Sequence, residues 1–250
     1  MMTPEQRDRY DRQIRLPAIT EDGQQTLLHS RALIIGMGGL GSPVAMYLAA
    51  AGVGHLVLSD FDIVERSNLQ RQIIHTEKSI GQLKVDSARQ FVQSLNPDIQ
   101  VTTLAYELSD NDLVAQVQRA DVVIDCTDNF PSRFALNRCC IQAAKPLVSG
   151  AAIRQEGQIS TYDIRVKNSP CYQCLYPDMG IEGVTCSREG VLAPVVGIIG
   201  TMQAQEAINV LLGRPALIGT LLLLDAQHLG WRRMSLPKNP TCPACSGTRA

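Results

Sequence analysis

The segment Ile34-Ile35-Gly36-Met37-Gly38-Gly39-Leu40-Gly41 sets Gly36, Gly38 and Gly41 in a Gly-x-Gly-x-x-Gly pattern, behind an apolar run and ahead of an alanine-rich stretch. In that context the missing side chains let the backbone turn tightly and approach a phosphate, which the following helix N-terminus attracts. Asp60 follows about twenty residues later, where such folds hold a ribose hydroxyl. Those residues alone leave NAD, FAD and ATP open. Arg71 and Lys84, just past the ribose carboxylate, favour ATP: two phosphate-seeking cations can neutralise a triphosphate, whereas a dinucleotide enzyme has little use for them. Asp125-Cys126-Thr127-Asp128-Asn129 closes a later strand at the same carboxyl edge of the sheet, where open α/β folds bind ligands. A carboxylate there suits a magnesium ion bridging phosphate oxygens.

Two Cys-x-x-Cys pairs, Cys171-Tyr172-Gln173-Cys174 and Cys242-Pro243-Ala244-Cys245, carry a second chemistry. Four thiolates suit a closed tetrahedral zinc site, and a closed site is structural. A metal held by both pairs ties the C-terminal tail back to the rest of the chain. A redox dithiol is the alternative, disfavoured because two pairs occur outside a thioredoxin-like context. Cys126, Cys139 and Cys140 read as small buried hydrophobes. The histidines, His29, His55, His75 and His228, show no ligand spacing and are given no role.

The elements that must hold these residues follow from periodicity. Thr3-Pro4-Glu5-Gln6 opens a helix reaching about Arg15. Strands are expected over 32–35, 55–59, 101–105, 122–125 and 146–149, with helices after the glycine turn to 51 and over 85–95, 112–119 and 133–143. Strand alternating with helix is the parallel-sheet unit. Beyond Gly150, strands over 157–162, 220–225 and 231–235 extend the sheet, with a helix over 194–212. The fold expected is α/β: a Rossmann-like, mostly parallel sheet extended by C-terminal antiparallel strands, with an N-terminal helical segment. One domain over 1–250 is expected, divided into helices over 1–30, a nucleotide-binding core over 31–150 and a zinc-binding part over 151–250.

Composition sets the limits. With 45% hydrophobic and 19% charged residues among 250, a large core forms and disorder is excluded. A net charge of -1 gives no global attraction to nucleic acid or anionic membrane. No apolar run reaches membrane-spanning length, and the first ten residues carry no secretion signal, so a cytoplasmic location is expected.

Taken together, residues 36–41, Ser-Asn-Leu-Gln-Arg-Gln at 67–72, Asp-Cys-Thr-Asp-Asn at 125–129, both cysteine pairs and Ala193-Pro194-Val195-Val196-Gly197 resemble the MoeB/ThiF family, relatives of the ubiquitin-activating enzymes. The resemblance runs from about Arg9 to Cys245. It implies adenylation of the Gly-Gly carboxylate of a small ubiquitin-like sulfur carrier, that of molybdopterin synthesis with that of thiamine synthesis as the alternative, with ATP, Mg²⁺ and Zn²⁺ as cofactors. By the same resemblance, Gly39 approaches the phosphates, Asp60 holds the ribose, Arg71 and Lys84 contact phosphates together with Ser67 and Asn68, and Asp128 beside Asn129 holds magnesium. Arg12 is expected to enter the site of a partner subunit, which implies a homodimer. Cys186 lines up with the cysteine that serves sulfur transfer or a covalent link to the carrier, and Arg188 nearby favours its thiolate. No rhodanese domain follows Cys245, so a separate sulfur donor, such as a cysteine desulfurase or rhodanese, is expected. A nicotinamide-dependent oxidoreductase and a non-catalytic scaffold for ubiquitin-like proteins are the readings from other classes; Arg71, Lys84 and the paired cysteines argue against the first, and Arg71, Lys84 and Asp128 against the second.

Overall fold

The structure is a computed structural model that describes residues 2–177 and 189–247. Its first helix, α1 (Pro4–Ile14), starts at a capping box in which the Gln6 N–H donates to the Thr3 hydroxyl and the Thr3 N–H to the Gln6 carboxamide. These two bonds satisfy donors that a helix start otherwise leaves open. Tyr10 anchors α1: its ring is buried and its hydroxyl accepts from Asn96 at 2.8 Å. A second helix, α2 (Thr20–His29), leads into β1 (Arg31–Ile35).

From β1 the chain alternates through α3 (Gly41–Ala50), β2 (His55–Ser59), α4 (Lys84–Leu95), β3 (Gln100–Leu104), α5 (Asp110–Arg119), β4 (Val122–Asp125), α6 (Phe130–Ala143) and β5 (Leu147–Ile153). It ends with β6 (Glu156–Tyr162), the short α7 (Tyr172–Leu175), α8 (Ala193–Leu211), β7 (Thr220–Asp225) and β8 (Gly230–Ser235). The eight strands form one sheet in the order β3-β2-β1-β4-β5-β6-β7-β8. The first five are parallel, and β6, β7 and β8 add antiparallel.

Apolar side chains cover both faces of the central strands. Ala32 and Ile34 of β1 join a core under α3, α4 and α8, while Leu33 points to the core under α5 and α6. This period of two is what a strand buried between two helical layers needs. The chain moves outward from β1 through β2 to β3, then returns to place β4 on the other flank of β1. The strand order therefore reverses between β1 and β4, and a crevice opens at their carboxyl ends.

One strand departs from expectation. The sequence suggests an end near Ser149, but β5 runs on to Ile153, because Gly150 continues the ladder opposite Ile159. Gly150 marks a close approach instead of a break: a Cβ there would lie 2.4 Å from the Gln203 side chain of α8.

Candidate functional site

A cleft of about 450 Å³ lies at that crevice, lined by the glycine turn, the end of β2, the start of α4 and the loop after β4. The volume is in the range of ordinary ligand pockets. Gly36 has φ +95°, a left-handed conformation that a side chain strains, and a Cβ on it would come within 2.7 Å of the Cys126 carbonyl oxygen. Gly41 starts α3 so close behind the turn that a Cβ would stand 1.9 Å from the Gly36 oxygen. The last glycine of the motif thus lets the helix sit against the turn, and Gly36, Gly38 and Gly39 face the cleft without Gly41.

Asp60 lines the cleft at the end of β2, with its carboxylate accepting from the Met37 N–H at 2.7 Å and the Asp62 N–H at 2.9 Å. Burial raises its pKa, opposed by the charge of Lys84 and by those two N–H bonds. Lys84 is the first residue of α4; its side chain is only 8% exposed, and Nζ meets Asp62 Oδ2 at 2.7 Å. A buried cation, a carboxylate and a side-chain-free turn therefore share one wall. Arg71 also lines the cleft and donates to the Ser67 carbonyl.

Across the cleft, Asp125 is fully buried, accepting from the Thr127 N–H and hydroxyl and from the Ser149 hydroxyl. These bonds fold the chain so that Asp128 and Asn129 stand at the rim, and Asn129 caps α6 by accepting from the Ser132 N–H. The Asp128 carboxylate makes no ion pair among the described residues; its Oδ1 accepts from the Asn129 carboxamide at 3.5 Å, and a carboxylate so placed suits a hard cation.

Other expected residues sit elsewhere. Ser67 and Asn68 belong to a single 3-10 turn beside the cleft and are not part of its lining: the Asn68 carboxamide caps that turn by accepting from the Glu65 N–H. Arg12 is 91% exposed on α1 and does not line the cleft of its own chain. Cys186 and Arg188 lie outside the described residues.

Three residues here escaped the sequence reading. Gln72 is buried on the cleft wall, with an oxygen that meets no partner among the described residues. Arg133 is buried beside Asp125 and donates to the Thr127 carbonyl at 2.7 Å. His75 is buried under the glycine turn. Gln72 closes the Ser-Asn-Leu-Gln-Arg-Gln stretch and Arg133 lies about a helical turn beyond Asn129 on α6, positions that give a weak signal; His75 gives none.

The four paired cysteines converge. Cys171 Sγ stands 3.9 Å from Cys174 Sγ and 3.6 Å from Cys242 Sγ, and Cys174 Sγ stands 3.5 Å from Cys245 Sγ. All four sulfurs lie within 4.8 Å of one another. A tetrahedron with metal–sulfur bonds of about 2.3 Å has edges of about 3.8 Å, so the spacing fits a four-thiolate metal site and is too wide for disulfides. The Cys171 and Asn239 N–H groups both point at Cys174 Sγ at 3.4 Å, as donors to a thiolate do. Cys126 is a different case: burial, with Asp125 adding to it, pushes its thiol well above the usual range, so it stays protonated. Cys139 and Cys140 are buried on α6.

The model described as the ThiF family matches residues 10–244 of this chain. A molybdopterin-synthase adenylyltransferase of Escherichia coli (strain K12) is 47% identical over 239 residues, covering 95% of each chain. The sulfur carrier protein ThiS adenylyltransferase of the same organism is 46% identical over 242 residues, covering 97% of this chain and 96% of its own. Among solved structures, E. coli MccB together with MccA-N7isoASN superposes with a TM-score of 0.83 at 22% identity, over 95% of this chain and 74% of that one, a likeness of fold. With nearly the whole chain matched by the family model and by relatives of equal length, this protein belongs to the ThiF family.

Proposed function

We propose that the protein adenylates the C-terminal Gly-Gly carboxylate of a ubiquitin-like sulfur carrier. The observation that carries the reading is the convergence of a side-chain-free phosphate turn, the buried cation Lys84 and the carboxylates Asp60 and Asp128 on one cleft, in a chain 47% identical to an adenylyltransferase. ATP lies with its ribose on Asp60 and its phosphates over Gly38 and Gly39, against Lys84 and Arg71. A carboxylate oxygen of the carrier attacks the α-phosphorus; the new O–P bond forms as the bond to the bridging β-oxygen breaks, and pyrophosphate leaves with that electron pair. The product is an acyl-adenylate.

Two anions must approach each other, and fixed cations offset their repulsion. Lys84 and Arg71 serve that purpose from one wall. Asp128 would hold magnesium, which supplies further neutralisation of the phosphates when bound. The four cysteines would hold zinc in a structural role. Arg12, exposed and outside its own cleft, supports a homodimer in which it reaches the partner's nucleotide. Cys186 is proposed as the thiol that follows adenylation; Cys186→Ala is expected to keep adenylation and stop thiocarboxylate formation.

The carrier of molybdopterin synthesis is the proposed substrate. The 46% identity to the ThiS adenylyltransferase supports the thiamine carrier as the second reading, with the same chemistry. Mixing the protein with each carrier, ATP and Mg²⁺ and measuring intact mass decides: the substrate gains AMP. Neither carrier gaining AMP overturns the proposal.

A further inference from the structure

A buried histidine joins the pieces of the cleft's phosphate wall. Met37 lies between the first two glycines of the turn, its N–H donating to Asp60. Its carbonyl stands 2.9 Å from Nε2 of His75. A carbonyl only accepts, so Nε2 carries the proton and Nδ1 is left as an acceptor. The Ser87 hydroxyl, 2.9 Å from Nδ1, supplies the donor. Ser87 sits three residues beyond Lys84 on α4, a spacing that puts both on one side of the helix. Hydrogen bonds therefore tie Asp60 to the N–H of Met37, and the carbonyl of the same residue through His75 to the helix that bears Lys84.

His75 and Ser87 are each 5% exposed, so water cannot replace either bond. Burial favours the neutral ring, the Met37 bond works against this, and the charge of Lys84 on α4 adds to it; Asp60, at the end of β2, faces the far side of Met37.

We infer that His75 is a positioning residue for the adenylation reaction: its neutral imidazole braces the Met37 carbonyl against Ser87 and so fixes the glycine turn relative to Lys84, without touching the nucleotide. Phosphate binding needs the turn's backbone and the ammonium at a set separation, and a bridge with a donor at one end and an acceptor at the other sets it. A phenylalanine of similar shape fills the space and makes neither bond. This inference rests on the reading of the cleft as an ATP site.

The test measures Mg-ATP affinity by calorimetry and pyrophosphate exchange on the folded protein. His75→Phe is expected to bind Mg-ATP about tenfold more weakly, the effect of losing two ordinary hydrogen bonds, while KM for the carrier stays unchanged. His75→Gln, whose carboxamide can reach Met37, is expected to recover most of that loss. Ser87→Ala is expected to weaken binding about threefold, and the double variant Ser87→Ala/His75→Phe to be no worse than His75→Phe, because both act through one bridge. A folded His75→Phe with wild-type affinity overturns the inference, as do fully additive losses. If His75→Phe does not fold, Ser87→Ala decides, and unchanged affinity there overturns it. Wild-type protein that binds no Mg-ATP sinks the reading of the cleft instead.

Discussion

Lys84→Met keeps an apolar stem of similar length in a site where the lysine side chain is 8% exposed and deletes only the charge. Its ion-pair partner Asp62 has a side chain 55% exposed, so the carboxylate left behind is hydrated. The fold should lose no more than about 1 kcal/mol, because removing the buried ammonium also removes its desolvation cost while Asp62 is rehydrated, which is about 2–4 °C in melting temperature for a chain of this size. The reaction should lose far more. In the proposed reaction Lys84 is a fixed cation facing the charge that develops on the leaving pyrophosphate, and removal of one such preorganised group costs about 10²–10³ in turnover, or 3–4 kcal/mol. The two magnitudes separate the catalytic effect from the structural one. The assay is carrier-dependent ATP–pyrophosphate exchange, run beside a thermal melt of the same preparation. A folded Lys84→Met variant that exchanges at the wild-type rate would show that the ammonium does not act on the phosphates, and the electrostatic account of the cleft fails with it.

Three further outcomes are expected. Gly41→Ala should destabilise by about 3 kcal/mol, because its methyl meets the Gly36 oxygen at 1.9 Å, whereas Gly197→Ala on α8, with nothing within 4 Å, should gain up to about 1 kcal/mol; urea unfolding of both variants checks the contrast. Chelation of the metal should lower the melting temperature by more than about 8 °C: Cys171 and Cys242 are 71 residues apart, and opening a loop of that length releases about 4 kcal/mol of chain entropy. An unchanged melt after complete metal removal contradicts a structural site. Burial holds the His75 pKa below its free value of about 6.5, so its share of stability is full above that pH and is lost as pH falls toward the lowered native value. His55 shifts the same way, while Asp60, whose pKa is raised, acts in the opposite sense at more acidic pH. The difference between wild type and His75→Phe between about pH 5 and 7.5 isolates the histidine, and identical pH slopes for the two refute it.

The strands were legible where an apolar run ends abruptly. The expected limits of β2, β4 and β7 coincide with those in the structure, since aspartate or glycine bounds runs such as Val122-Val123-Ile124-Asp125. The extra length of β5 was not legible, because glycine reads locally as a breaker and only the approach of Gln203 from α8 makes it necessary. The second N-terminal helix carries no cap motif of its own: Ile19 stands at its N-cap without a side-chain bond.

The site divides along the same line. Asp60 and Asp128 could be found because each closely follows a strand end, and Lys84 because its charge, like that of Arg71, follows the carboxylate of Asp60; the structure puts all three on one cleft. His75 and Arg133 could not, because their meaning lies in partners that the chain brings from elsewhere: Met37 is 38 residues before His75, and the fully buried Asp125 faces Arg133 only after the loop between them folds back. A buried ring or guanidinium survives in a core only when its hydrogen bonds are supplied, and which backbone supplies them is a property of the tertiary fold. Residues that touch a ligand therefore leave a trace in local motifs, while the residues that hold those motifs in place do not. In this chain the bond from His75 to the Met37 carbonyl is where the two kinds meet, since Met37 belongs to the most recognisable motif in the sequence and its carbonyl is held by a residue that no motif contains.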